Sequence, residues 1–306
     1  MIYPICSKCG KKAVIFIRYN GTHLCQTHFC EFFNRRIKKE LRKQGPLPQG
    51  VIAVALSGGK DSLVAVQVMR DLVSRQEKRE LHAITIDEGI EGYRPATLQI
   101  AKSFCQTRGI THHVVSFQDI IGYTMDNIVS KGNLGACTYC GVFRRHCLNR
   151  AARDIDARLL VTGHNLDDVS QSILMNFVNN DLERMARIGP HKKIQPGLIP
   201  RCIPLRSIPE KETTLYALIN NIEVYEHECP YSPQATRGTY RDILHKLEMD
   251  HPGTRHSILN SYLALEECFS QRFPPADLNT CPSCGEPTSQ GQCRTCQLIA
   301  ELSSQS

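Results

Sequence analysis

A doubly wound, parallel α/β sheet with a small cysteine-rich metal module at either end is the fold class this sequence predicts. Three observations predict it. Buried-strand patterns alternate with helical ones from residue 51 to 178, a glycine-rich loop follows the first of those strands, and cysteines recur in two-residue gaps at both ends. With 306 residues and 41% apolar content, the chain can bury a substantial core.

Residues 1–30 are poor in apolar mass and β-like, with the apolar stretch 14–17 between two pairs of metal-ligand type. Residues 31–44, EFFNRRIKKELRKQ, pattern as a basic amphipathic helix stopped by Gly45-Pro46-Leu47-Pro48. From Val51, VIAVAL reads as a fully buried strand, and SGGKDS as the turn into a helix over 63–74. Residues 81–87 (LHAITID) make a second buried strand, 94–108 a second helix, 113–117 a third strand and 139–155 a third helix. A strand over 159–162 then precedes a helix over 167–178. Alternation at this spacing argues a parallel sheet with helices on both faces.

Beyond Asn180 the pattern loosens. Residues 181–214, rich in Pro, Arg and Lys, read as a long loop or lid. Residues 223–228 read as a last strand, and helices over about 236–249 and 254–271 close the block. Phe273-Pro274-Pro275 leads into the final cysteine-rich piece. The expected domains are a zinc finger (1–30), a basic helix and linker (31–48), a catalytic domain (49–272) and a zinc ribbon (273–306).

No run approaches 18 consecutive apolar residues, which excludes a transmembrane helix, and MIYPICSKCG has no signal-peptide pattern. A soluble, cytoplasmic protein without membrane attachment is expected. Residues 1–50 hold ten Lys/Arg against two Glu, a surplus of eight where the whole chain carries +7. The basic excess therefore belongs to the N-terminal segment, and Arg35, Arg36, Lys38 and Lys39 are expected to face a polyanion. A solvated basic helix is the competing explanation.

Ser57-Gly58-Gly59-Lys60-Asp61-Ser62 stands where a strand hands over to a helix, the place at which α/β sheets bind ligands. Glycines let the backbone approach a phosphate, helix N–H groups face it, and Lys60 adds a charge. The alternative is an ordinary turn with Asp61 or Ser62 capping the helix. The spacing is not that of a Walker A loop. ALSGGKDS instead resembles the pyrophosphate loop of the PP-loop ATPases, which cleave ATP to AMP and pyrophosphate. That resemblance implies ATP against Ala55, Ser57, Gly58, Gly59, Lys60, Asp61 and Ser62, with Ile86 and Asp87 at the second strand end near adenine and ribose. It also implies that Gly163 and Asp168, in Gly-His-Asn-Leu-Asp-Asp, lie by the phosphates and Mg²⁺, and gives Lys60, Asp61 and Asp168 the catalytic work. Helix capping by Asp167 or Asp168 is the plainer reading of that turn.

Fifteen cysteines are many for a reducing compartment, and their spacing suggests metals and not disulfides. Cys6, Cys9, Cys25 and His28 have the spacing of a structural zinc site, with Cys30 as a substitute for His28. Cys281, Cys284, Cys293 and Cys296 form a four-cysteine site with Gly285 and Gly291 in its knuckles. Cys137-Thr-Tyr-Cys140 has no second close pair, and Cys229, before Pro230-Tyr231, is its best distant partner. Three thiolates could hold a [4Fe–4S] cluster with one iron open. A redox dithiol or inert buried thiols are the alternatives, and Cys147 and Cys202 rank lower as ligands.

Together these motifs make the chain similar to the two-thiouridine synthetases of tRNA, a PP-loop ATPase family, over nearly its whole length. The resemblance implies adenylation of a uridine C2 oxygen followed by displacement of AMP by sulfur. It implies a [4Fe–4S] cluster on Cys137, Cys140 and Cys229, Arg144 near ATP, two zinc ions, tRNA as substrate and a homodimer. The sulfur donor stays open between sulfide and a ubiquitin-like carrier protein. Competing readings are an adenylating amidotransferase or lysidine-type ligase on the same loop, a persulfide relay without a cluster, and a zinc-ribbon adaptor with a degenerate ATPase core.

Overall fold

The computed structural model describes residues 3–74, 76–190, 195–225, 227–234 and 237–304. The N-terminal piece is a hairpin of β1 (Ile15–Ile17) and β2 (Thr22–Leu24), paired antiparallel with Ile15 opposite Leu24. Helix α1 (Gln26–Gln44) follows at once, starting at Gln26 and not at residue 31, because Cys25 in extended backbone is its N-cap. Phe29, Phe33, Ile37 and Leu41, four apart, form its buried stripe. They join one apolar cluster with Ile52, Val54, Leu63 and Tyr216, so α1 is a packed layer and not a free arm. Glu40, on the same stripe, is 3% exposed and meets Arg206 at 2.7 Å. Removing either partner would strand a buried charge, at a cost of about 3–5 kcal/mol.

The central sheet begins with β3 (Gly50–Ala55), whose loop leads into α2 (Lys60–Val73). β4 (Arg79–Asp87), α3 (Arg94–Thr107) and β5 (Thr111–Ser116) follow as expected. Two short helices come next, α4 (Phe117–Ile121) and α5 (Met125–Lys131), then the long α6 (Ala136–Asp154). β6 (Leu159–Val161) precedes α7 (Leu166–Val178) and α8 (Leu182–Ala186). The five parallel strands run β5-β4-β3-β6 and then β7 (Arg201–Cys202). Side chains alternate across the sheet. Ile52 and Val54 face the cluster of α1, α2 and α3, whereas Ala53 faces the one with Phe143 and Leu148 of α6.

The chain crosses from one half of the sheet to the other between β5 and β6, which flank β4 and β3 on opposite sides. A crevice therefore opens at the carboxyl ends of β3 and β6, where such sheets bind ligands. The described residues of the expected lid over 181–214 instead include regular structure, and 191–194 lie outside them. The stretch contains α8, β7 and the start of α9 (Glu210–Ile219), with Leu205 and Ile208 wholly buried. A two-residue strand is too short to show a period, which is why it read as loop. The strand expected at 223–228 is absent among the described residues, and Glu226 lies outside them. Val224 and Tyr225 pack through side chains alone, Tyr225 edge-on to Tyr93, with no ladder partner. Helices α10 (Arg237–Asp250) and α11 (Thr254–Arg272) close this block. The final piece pairs β8 (Asn279–Thr280) with β9 (Pro287–Thr288), then α12 (Arg294–Ser303), whose Leu298 and Leu302 are fully buried beside α6. No helix among the described residues is long and apolar enough to cross a membrane.

Candidate active site

The loop from β3 to α2 is folded tightly on itself. Ser57 N donates to Ser62 Oγ at 3.1 Å, and that hydroxyl donates to the Gly59 carbonyl at 2.8 Å. Gly58 sits at φ +85°, where a Cβ would lie 2.4 Å from the Thr97 carbonyl oxygen, so no side chain fits there. The N-cap of α2 is Gly59, not Asp61 or Ser62, and no side chain caps its first N–H groups. They are the free donors that a phosphate requires.

Lys60 Nζ lies 3.1 Å from Asp61 Oδ2 and 2.5 Å from Glu210 Oε1. Burial alone would depress the ammonium, but Asp61 and Glu210 together raise it above its ordinary range. Asp61 is pushed up to about 6, chiefly by burial, with Lys60 opposing and Asp168 adding. Its Oδ1 is buried without a hydrogen-bond partner. An orphaned carboxylate oxygen beside a second acid fits a divalent cation. Asp168 itself closes a capping box with Asn165, by contacts of 3.1 and 3.0 Å, and its other oxygen is 3.7 Å from Arg237. Capping and a place by the site thus coexist. Asp167 turns away, accepting from Glu210 N at 2.8 Å and pairing with Arg255.

A cavity of about 220 Å³ opens beside this loop. Of the residues expected to hold ATP, Ala55, Ser57, Asp61, Ser62, Ile86, Arg144 and Gly163 line it. Gly58, Gly59, Lys60, Asp87 and Asp168 do not; the Asp87 carboxylate accepts from Gly89 N at 2.9 Å. The wall also holds Glu88, Arg94, Thr162 and His164, which sequence reasoning passed over. Burial lowers the His164 imidazole below its ordinary range, and its Nδ1 lies 3.1 Å from Thr162 Oγ1.

The central cysteines sit next to this cavity. Cys137 lies in the first turn of α6, whose positive end favours thiolate, and Cys140 opens the second turn. Arg144, one turn on, donates to Cys140 Sγ at 3.0 Å. Burial pushes the Cys140 thiol up to about 11; Arg144 opposes this, and Cys229 and Cys137 are near enough to add to it. Cys229 reaches the place from the segment before α10 and packs in the same apolar cluster as Cys140. Cys147 and Cys202 are excluded as partners. Cys147 is wholly buried and pushed up to about 12 by burial, and Cys202 is bound to Gln44 on the far side.

The terminal sets differ from the central one. Cys6, Cys9, Cys25 and His28 bring four ligand atoms within 4.8 Å of one another, as do Cys281, Cys284, Cys293 and Cys296. Edges of 3.7 Å for Cys9–Cys25 and 3.4 Å for Cys25–His28 suit a tetrahedron around one ion with bonds of about 2.0–2.3 Å. At Cys281 the Cys293 backbone N–H outweighs burial, and at Cys6 burial is outweighed by several backbone N–H groups together, so both thiols are lowered to about 6, whereas burial pushes Cys284 up to about 11. Cys30 stays out of the first set and packs against the core. Among the described residues only these two sets converge within 4.8 Å. Cys137, Cys140 and Cys229 are not among the sets that converge so closely.

The chain has relatives among known proteins. Residues 30–248 match the PP-loop domain family, and residues 5–30 match the N-terminal LIM domain of 2-thiouridine synthetase TtuA. The tRNA 2-thiolation protein NcsA of Haloferax volcanii is 41% identical over 97% of this chain and 98% of its own length. This chain belongs to the PP-loop family of tRNA 2-thiolation proteins. Cytoplasmic tRNA 2-thiolation protein 1 of Mus musculus is 36% identical over 98% of this chain and 73% of its own. The structure of the U34-tRNA thiolase NcsA from Methanococcus maripaludis, with its [4Fe–4S] cluster, superposes with a TM-score of 0.80 at 36% identity. The match covers 87% of this chain and 89% of that one.

A PP-loop thiolation protein must draw two polyanions to one mouth, and the charges around this cavity are arranged for that. Burial and the neighbouring Arg184 and Arg144 hold the Arg145 guanidinium below its ordinary range; burial and Arg145 do the same to Arg201. Arginines that depress one another mark a concentration of positive charge that phosphate would relieve. On α1, Arg35, Lys38, Lys39, Arg42 and Lys43 are exposed. Arg36 is not. It is tied to Glu212 at 2.6 Å, to Tyr19 Oη at 2.6 Å and to the Ser207 carbonyl, so its charge is spent inside the protein.

Proposed function

We propose that the chain adenylates the C2 oxygen of a tRNA uridine with ATP and then replaces that oxygen with sulfur. One contact carries the reading: Arg144 lines the nucleotide cavity and also donates to Cys140 Sγ at 3.0 Å, so phosphate chemistry and sulfur chemistry share a wall. An amidotransferase or lysidine ligase has no use for that adjacency.

ATP would lay its phosphates on the uncapped N-terminus of α2 and the 57–59 loop. Lys60 would leave Glu210 for the departing pyrophosphate, and Asp61 with Asp168 would hold Mg²⁺. The C2 oxygen attacks the α-phosphorus, pyrophosphate leaves, and the uridine gains AMP as a leaving group. Sulfur then bonds to C2 as AMP departs, which divides one hard displacement into two easier ones. Cys137, Cys140 and Cys229 would hold a [4Fe–4S] cluster, which when bound supplies an iron without a protein ligand, open to hydrosulfide. The two terminal sets would hold structural zinc, because a closed tetrahedron leaves no open position. The exposed cations of α1 would grip the tRNA backbone. The uridine would be the one at position 34, as in the Methanococcus relative, supplied with free sulfide or a carrier thiocarboxylate, in a homodimeric enzyme.

The test uses anaerobically reconstituted and iron-free protein, each given ATP, tRNA and sulfide. AMP, pyrophosphate and 2-thiouridine at position 34, with thiolation confined to the iron-loaded sample, are the expected products. ADP and phosphate would overturn the adenylation step. Equal thiolation without iron would replace the cluster by a persulfide relay.

A further inference from the structure

The strand β4 ends in a hub that touches both half-sites, and its centre is Glu88. The Glu88 side chain is 4% exposed and carries two arginines. Its Oε2 lies 2.8 Å from Arg94 Nε, and its Oε1 lies 2.8 Å from Arg144 Nε. Arg94, itself 4% exposed, donates to the Ser57 carbonyl at 2.8 Å and to the Ile86 carbonyl, gripping the first residue of the phosphate loop. Arg144 uses Nη2 on Cys140 Sγ. One buried carboxylate thus joins the phosphate loop to a thiol of the sulfur site through two fixed guanidinium groups.

The hub is anchored beyond these charges. The Glu88 carbonyl accepts from Met125 N at 2.7 Å, which fixes the strand end to the start of α5. Glu91 N donates to Asp126 Oδ2 at 2.9 Å, and Asp126 Oδ1 accepts from Tyr231 Oη at 2.7 Å. Tyr231 follows Cys229 by two residues, so the same loop also fixes the segment that brings in the third cysteine.

We propose that Glu88 is a positioning residue that couples adenylation to sulfur delivery, by holding Arg144 across the boundary between the nucleotide cavity and Cys140. The inference rests on the thiolation reading above. Glu88 touches neither reacting group itself. It keeps Arg144 from swinging into the cavity alone or onto the sulfur alone, because its short buried side chain is committed to Arg94 on the other side. Without it the adenylated uridine still forms, but the sulfur is misplaced. Water then takes the C2 position and returns uridine and AMP.

The test compares the full-length wild type with Glu88→Gln, both anaerobically reconstituted, given ATP, tRNA and sulfide. Four quantities are read: iron and zinc per chain, KM for ATP, AMP released, and thiolated nucleoside per AMP. Glu88→Gln should keep its metals, and at saturating ATP, where any loosening of the Ser57 loop through Arg94 is overcome, thiolated product per AMP should fall on the order of 100-fold, the scale of a misplacement of about 1 Å. The EPR spectrum of the dithionite-reduced cluster should also shift, because the donor to Cys140 has moved. Glu88→Asp keeps the charge but is one methylene too short to reach both guanidinium groups, and should uncouple in the same way even if Glu88→Gln fails to fold. Product per AMP unchanged in both variants would overturn the inference while leaving the thiolation reading intact. AMP and product falling in proportion would also overturn it, since that is plain loss of ATP chemistry. A wild type that releases no AMP with tRNA would sink the thiolation reading instead.

Discussion

Gly163 stands so close to the phosphate loop that a Cβ on it would lie 2.9 Å from the Asp61 carbonyl group and from Ser62 Cα. The neighbour is backbone and cannot rotate aside. Gly163→Ala should therefore push the loop away from β6, cost about 1–3 kcal/mol of stability by overpacking, and lower tRNA-dependent AMP release on the order of 100-fold. Thermal melts and AMP release check the two effects separately. A variant with normal turnover would show that the loop has slack the geometry denies.

Asp61 has a folded pKa of about 6 against an ordinary value of 3.8, so the folded protein holds this proton more tightly than the unfolded chain does. Its contribution is favourable when protonated and is lost as pH rises from about 4 to about 6, a change of about 3 kcal/mol. Asp61→Asn should thus raise the melting temperature of nucleotide-free protein at pH 7 and flatten its pH dependence between 4 and 6. The same variant should lose Mg²⁺-ATP, whose affinity in the wild type should fall as pH drops below 6. A melting temperature at pH 7 equal to or below that of the wild type would contradict the assignment.

Reversing Arg35, Lys38, Lys39 and Arg42 to Glu should weaken tRNA binding and reduce the salt slope by about 0.7–0.9 for each phosphate that is no longer neutralised. Arg36→Glu should behave differently. It leaves Glu212 buried without its cation, at about 3–5 kcal/mol, so it should lower the melting temperature first. Filter binding across a salt series and a thermal melt distinguish the two groups of variants.

Cys284→Ser should reduce zinc from about two ions to about one per chain, by ligand counting, and leave iron in place. The ribbon is clamped to the carboxyl-terminal half of α6, where Glu286 accepts from Asn149 at 3.0 Å and pairs with Arg153, well away from Cys137 and Cys140. Elemental analysis decides it; loss of iron alone would mean the cysteines are wrongly divided.

What could be read from the sequence was whatever is local in the chain. SGGKDS declares itself because strand, glycines and helix start are adjacent, and the terminal cysteine pairs do so because a two-residue gap already fixes the ligand turn. Arg144 came from a resemblance, since nothing near it in the chain speaks of phosphate. Glu88 and Arg94 were missed for a different reason: six residues apart, they find each other only when β4 and α3 fold over the loop. The same holds for Arg36, whose partner Glu212 is far along the chain. A basic helix shows its charges in the sequence, but not which of them the core has taken. β7 was missed because two residues have no period, and 223–228 was misread because Val224 and Tyr225 look like strand whether or not an edge awaits them.

The packing of α12 under the sheet bears on how the protein is made. Leu298 and Leu302 cover the same face as Ala53, Ile84 and Leu160, the middle of the sheet, which is synthesised far earlier. Chains generally fold from the N-terminal side as they emerge. Helices α4, α5 and α6 cover most of that face first, but the strip beside α6 that Leu298 and Leu302 fill stays uncovered until residues 294–303 have left the ribosome and docked. With zinc held by Cys281, Cys284, Cys293 and Cys296 as proposed, a cell short of it would accumulate nearly finished chains with an exposed apolar strip, which are targets for chaperones and proteases before any question of catalysis arises.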